Sequence, residues 1–273
     1  MNPYRLESPA VISFSGGRTS GFMLFRVLEA FDFSLPDGIK VIFANTGKEV
    51  EETLQFVDEC SRQWGVDIVW LERRVRANEG EGNKYIYETL QVDFSTASRK
   101  GEPFESLIRA RQYLPNPVAR FCTAELKIRA IQDYMKRDHE SWVEAVGIRY
   151  DEPRRVAKMR NEKRVVLPLV ADRVAVGDIS QFWKNQPFDL RLPNDNGVTP
   201  YGNCDLCFLK GLGKKLSIIE NRPGVEVWWS EQERQIGGRF RKDEPGYSDL
   251  GIIARSNHGL DMEGGDMSCF CGD

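Results

Sequence analysis

At 273 residues the chain is long enough for one large domain with an appended subdomain, or for two small domains. Its 41% hydrophobic and 29% charged residues fit a soluble globular protein, and no apolar run approaches the ~18 residues of a membrane span, which excludes a membrane-spanning helix. A net charge of −3 speaks against a general nucleic-acid coat protein, and the start MNPYRLESPAVISF lacks a basic segment followed by a long apolar one; no secretory signal is read, and a cytoplasmic location is expected.

The first predicted element is a strand over Ala10 to Phe14, followed by SFSGGRTSG (Ser13 to Gly21) and an amphipathic run from Phe22 to Phe31. Strand, glycine-serine loop and helix form an anion cradle, since paired glycines let backbone N–H groups approach phosphate and the helix N-terminus adds its positive dipole end. The spacing is neither GxxxxGK[ST] nor GxGxxG, so the Walker loop and the dinucleotide fingerprint do not account for it. Further strands are predicted at Lys40 to Ala44 and Asp67 to Leu71. Between them Val50, Leu54, Val57, Cys60 and Trp64 recur at helical spacing and mark a core face. The alternation predicts an α/β fold with a doubly wound parallel sheet. Ligands of such sheets sit beyond the carboxyl ends of strands, so SGGRTS and the Asn45, Thr46, Gly47 turn are expected to face one site. A plain turn with a helix cap is the other reading of Asn-Thr-Gly.

After Leu71 the alternation stops, and the polar stretch from Arg73 to Asn83 predicts an inserted loop region at about 72–119, over the site. RFCTAELKIRAI reads as a helix entry with Cys122 or Thr123 near the cap, and Trp142 to Gly147 as a buried strand. Between Arg154 and Arg164 six basic residues (Arg154, Arg155, Lys158, Arg160, Lys163, Arg164) stand against one acid, as a solvated face or as a phosphate or nucleic-acid contact. Residues 1–170 are expected to form the nucleotide-binding domain and 171–273 a smaller cysteine-containing C-terminal subdomain.

Of six cysteines, Cys60 belongs to a helix core face, which leaves Cys122, the pair Cys204 and Cys207 in NCDLCFLKG, and Cys269 and Cys271. Without an export signal a disulfide framework is disfavoured and thiolate ligation of metal favoured. Four thiolates suit tetrahedral zinc or a 4Fe-4S cluster, and spacing leaves both open. His139 and His258 stand in no evident catalytic context, which disfavours a histidine-centred hydrolase.

SFSGGRTS, FANTGKEVEET, RFCTAELKIRAI, VGIRYDEPRR and NCDLCFLKG occur in the order seen in the phosphoadenosine phosphosulfate (PAPS) reductase-like family of PP-loop adenine nucleotide alpha hydrolases, which the chain resembles from Val11 to about Trp229. The resemblance implies an ATP-pyrophosphatase-type sheet binding ATP or PAPS at Ser15, Gly16, Gly17, Arg18, Thr19 and Ser20, with Thr46, Gly47, Gly147 and Arg149 near the same pocket. Members resembling DNA-phosphorothioation and tRNA-thiolation enzymes carry a 4Fe-4S cluster, so the resemblance implies iron-sulfur rather than zinc on Cys122, Cys204 and Cys207. Cys269 or Cys271 would be the fourth ligand. Because a cluster takes four thiolates of the five remaining, Cys269 is assigned as ligand and Cys271 as working thiol. Where the family's loop commonly reads SGGxDS, Thr19 replaces the aspartate, and the Cys-Cys pair and Glu-Cys-Gly-type tail of assimilatory reductases are absent.

Two mechanisms use this equipment. In the first, the loop grips ATP with Mg2+, Arg149 offsets developing charge, the acceptor oxygen attacks the alpha phosphorus, and sulfur from a donor such as a cysteine desulfurase then replaces that oxygen. In the second, the loop holds PAPS, and a tail thiolate takes the sulfonate for thioredoxin to resolve. A non-catalytic nucleotide- or nucleic-acid-binding accessory protein is the third reading. The first is carried forward.

Overall fold

The computed structural model describes residues 2–78, 85–195, 197 and 199–256, so Cys269 and Cys271 lie outside the described residues. Its centre is a six-stranded sheet of order β4-β3-β2-β1-β5-β6. The strands are β1 (Ala10–Ser13), β2 (Ile39–Ala44), β3 (Ile68–Ala77), β4 (Tyr85–Val92), β5 (Val143–Val146) and β6 (Val165–Val166). All neighbours are parallel except β3 and β4. Ala10, Val11 and Ile12 are wholly buried, as expected of a central parallel strand covered on both faces.

The chain runs outward from β1 through β2 to β3, then returns to lay β5 on the opposite side of β1. The order therefore reverses between β1 and β5, and a crevice opens beyond their carboxyl ends. One face of the sheet is covered by α1 (Arg18–Ala30), α2 (Glu51–Trp64) and α7 (Val176–Lys184). There Ile12, Phe14, Leu54, Val57, Cys60, Trp64 and Trp183 share the main core. The helical face predicted for α2 is buried as drawn, and Gly65 closes that helix in the left-handed conformation at φ 62°. On the other face α4 (Ala130–Met135) packs Ala130, Ile131 and Met135 against Val11, Ile42 and Val69.

Two expectations are corrected. The segment after Leu71 is not simply an inserted loop, because β3 continues to Ala77 and pairs antiparallel with β4, followed by α3 (Glu102–Arg111). Its polar composition reflects a sheet edge, where one strand face meets water. The boundary at 170 also does not divide the packing. Ile179, Trp183, Phe188, Leu190 and Leu192 belong to the main core. The second core joins α8 (Leu212–Asn221), α9 (Glu226–Ile236) and α10 (Tyr247–Ser256) to Val75, Phe104, Leu107 and Leu126 from the middle of the chain. The smaller lobe is thus built from two separated stretches. Among the described residues no helix is long and apolar enough to cross a membrane.

Candidate nucleotide cleft and cysteine cavity

From Ser13 the chain turns into α1. Gly16 sits at φ +78°, and a Cβ there would lie 2.6 Å from Thr53 Cγ2, so this position accepts only glycine. Gly17, at φ −101°, has extended backbone that any residue adopts, so the loop's steric demand falls on Gly16. Ser20 Oγ accepts hydrogen bonds from the N–H groups of Ser15 (3.2 Å) and Gly17 (3.3 Å) and donates to the Gly17 carbonyl (3.0 Å). One oxygen thus takes the N–H groups of Ser15 and Gly17 and holds the loop against the first turn of α1, whose N-terminal end carries the positive dipole an anion would meet. Gly147 lets β5 end close against this turn, since a Cβ there would stand 3.1 Å from Ser20 Cα. Arg149 reaches the same turn: its Nη1 donates to Thr19 Oγ1 at 3.2 Å while its Nε pairs with Asp151 at 2.9 Å.

Arg18 does not face a ligand. Its buried guanidinium pairs bidentately with Asp189 (2.7 and 2.9 Å) and donates to Thr199 Oγ1 (2.9 Å) and the Leu192 carbonyl (2.8 Å). These bonds hold the 189–199 segment on α1, which corrects the expectation of a nucleotide contact.

A cleft of about 580 Å³ opens at the switch point, between the ends of β1, β2 and β5 and the helical segment opposite, with residues 155–165 along one side. Ser15, Ser20, Gly147, Trp142, Lys127 and Arg155 are among its lining. That volume lies within the range of small-molecule and cofactor sites. Arg155 is 5% exposed; its Nη1 donates to Glu152 at 2.6 Å, while its Nε is buried with no hydrogen-bond partner among the described residues. The basic run therefore divides: Arg155 is buried in the cleft, and Arg154, Lys158, Arg160, Lys163 and Arg164 are exposed. Glu144 also lines the cleft and accepts a hydrogen bond from Ser13 Oγ at 3.0 Å. Burial pushes its carboxyl above the ordinary value, with the Ser13 bond opposing and the charge of Glu162 adding.

Cys122, Cys204 and Cys207, far apart in sequence, line one small cavity of about 20 Å³, walled by Phe104, Phe208 and Trp229. Cys122 gets there through an irregular helix. Residues Thr123–Arg129 form a π-helix, and Cys122 stands at its N-terminal boundary, near the cap as expected, with helical angles of φ −59° and ψ −45° and no side-chain cap bond. The pair Cys204 and Cys207 is tied to the turn after β2. Glu49 forms an antiparallel bridge with Cys204, Asp205 N donates to the Lys48 carbonyl at 2.8 Å, and Lys48 Nζ pairs with Asp205 at 2.7 Å. Thr46 Oγ1 lies 3.6 Å from Cys204 Sγ.

Thr46 therefore stands at the cysteine cavity, and the expectation that both turns face one site becomes two cavities side by side. Asn45 makes the local turn, accepting from Gly47 N at 3.0 Å and donating to Glu72 at 2.8 Å. Gly47, at φ +78°, is required by packing: a Cβ would lie 2.8 Å from Pro103 Cδ. Among the described residues no three His, Cys, Asp or Glu side chains converge as a single-ion site would need. The sequence reading missed Lys127 and the separate role of Arg155; the burial of one arginine within a basic run leaves no local sequence signal.

The family profile of the phosphoadenosine phosphosulfate reductase domain matches residues 9–165. The uncharacterized nin region protein ORF290 of Escherichia phage lambda is 30% identical over 227 residues, covering 81% of this chain and 73% of that protein. The uncharacterized protein MJ0066 of Methanocaldococcus jannaschii is 29% identical over 158 residues, 57% of this chain and 26% of the relative. Among solved structures, the U34-tRNA thiolase NcsA from Methanococcus maripaludis with its [4Fe-4S] cluster is similar at 14% identity and a TM-score of 0.43, covering 90% of this chain and 84% of that one. That overlap is too loose to transfer any residue or ligand.

Proposed function

The chain belongs to the phosphoadenosine phosphosulfate reductase domain family, and from that premise we propose that it is an ATP alpha-hydrolase whose activation chemistry is coupled to iron-sulfur-dependent sulfur transfer. The observation that carries this reading is the shared wall between a nucleotide-sized cleft and a cavity lined by three cysteines. The Ser15–Ser20 turn at the N-terminus of α1 would hold the beta and gamma phosphates, with Mg2+ accompanying them. Gly16 and Gly147 keep the backbone close, and Arg155 and Arg149 supply positive charge where negative charge builds on the alpha phosphate.

The donor set suits a cluster: three thiols with a largely apolar surround, the ligand type that a 4Fe-4S cluster would take. Cys122, Cys204 and Cys207 would hold it, with Cys269 as fourth ligand and Cys271 as the sulfur-carrying thiol. Bound there, such a cluster supplies a site for sulfide or for electron transfer. The apolar wall of Phe104, Phe208 and Trp229 excludes water from that space. A cysteine desulfurase is the matching sulfur donor, and exposed Lys158, Arg160, Lys163 and Arg164 would meet an anionic acceptor such as nucleic acid.

Calorimetry of the anaerobically purified protein with ATP and Mg2+, with AMP and with PAPS tests the reading. Binding of ATP with Mg2+ is the expected result. Tight binding of PAPS alone would reverse it in favour of a sulfonucleotide reductase using thioredoxin, and binding of no nucleotide would end both.

A further inference from the structure

The two cavities share two lining residues, Thr123 and Lys127. Both lie on the π-helix with i→i+5 bonding, and Cys122, the residue before it, lines the smaller cavity together with Lys127. In an α-helix the same pair would diverge by about 140°, at about 100° per residue. The wide turn is what brings a thiol and an ammonium group to one wall.

Lys127 is also held in place. Its Nζ lies 3.2 Å from Glu49 Oε1, and that oxygen accepts from Thr46 Oγ1 at 3.1 Å. The Glu49 carboxylate is fully buried, and its Oε2 has no hydrogen-bond partner among the described residues. A buried carboxylate is costly without a cation beside it, so the pairing fixes the lysine. Glu49 itself is bridged by backbone to Cys204, which makes the position of Lys127 follow that of the cysteine loop.

We propose that Lys127 is a further substrate-binding residue, which holds the anionic reacting group of the acceptor, a small oxyanion such as a phosphoester, at the junction of the two cavities, with Glu49 as its positioning residue. This rests on the reading that ATP occupies the larger cleft. An acceptor activated in one cavity and given sulfur in the other presents its reacting atom where both open, and that wall carries an ammonium group. A fixed cation there offsets negative charge on the departing phosphate without reorganising.

The test is a calorimetric titration of inorganic phosphate into the full-length protein saturated with a non-hydrolysable ATP analogue, which fills the cradle so that phosphate reports the junction. Lys127→Met should weaken phosphate at least tenfold, Lys127→Arg less than threefold, and Glu49→Gln by an intermediate factor. Affinity for the analogue should stay within twofold, and iron content should stay at the wild-type value. Unchanged phosphate affinity in Lys127→Met, or no phosphate binding by the wild type, would overturn the proposal. A tenfold loss of analogue affinity would reassign Lys127 to the nucleotide. If the wild type binds no analogue the ATP reading fails by itself, and phosphate titrated alone still reads Lys127.

Discussion

Replacing Gly16 by alanine forces a Cβ to within 2.6 Å of Thr53 Cγ2 in a left-handed backbone, so Gly16→Ala should lower both the melting temperature and adenine nucleotide affinity. Gly17→Ala carries no such backbone demand and should keep the melting temperature, which thermal denaturation of the two variants checks. Arg155→Gln removes a buried guanidinium from the cleft and should weaken nucleotide binding about tenfold, ~1.4 kcal/mol, by calorimetry. Arg18→Met acts oppositely: it breaks the pair with Asp189 and should cost about 3 kcal/mol in urea unfolding while nucleotide affinity holds. Equal nucleotide loss in both arginine variants would contradict the assignment of Arg18 to structure. Glu144 carries a pH signature. Its folded value is raised, so ionising it costs stability that is lost as pH rises from the unfolded value of about 4.5 through the folded one. Glu144→Gln should lose less stability than wild type over that interval, and parallel pH profiles would refute the shift.

The glycine loop, the strand before it and the buried face of α2 were legible in the sequence because each is a local pattern: an apolar run, a glycine turn, a helical repeat. Gly47 and Arg18 were not, since what explains them comes from Pro103 and Asp189, remote in the chain and brought close only by packing. The π-helix was equally hidden, as one extra residue per turn leaves the apolar spacing nearly unchanged over seven residues.

At the scale of the whole molecule the cysteine pair hangs on the sheet through Lys48, Glu49 and Asp205, so the turn after β2 connects the nucleotide half to the sulfur half. The family match ends at residue 165, yet Trp183 and Phe188 complete the main core and Arg18 is anchored by Asp189. A fragment of residues 1–170 should consequently lack native near-ultraviolet circular dichroism, and a fragment with a cooperative thermal transition would contradict this packing. The central claim is that three dispersed cysteines serve a cluster beside an adenine nucleotide cleft. The most direct measurement is iron and acid-labile sulfide in anaerobically purified full-length protein and in Cys122→Ser, Cys204→Ser, Cys207→Ser and Cys60→Ala. The account predicts about four iron and four sulfide per chain in wild type and Cys60→Ala, with marked loss in the other three. Colourless protein holding only zinc, or full iron in Cys122→Ser, Cys204→Ser and Cys207→Ser, would contradict it.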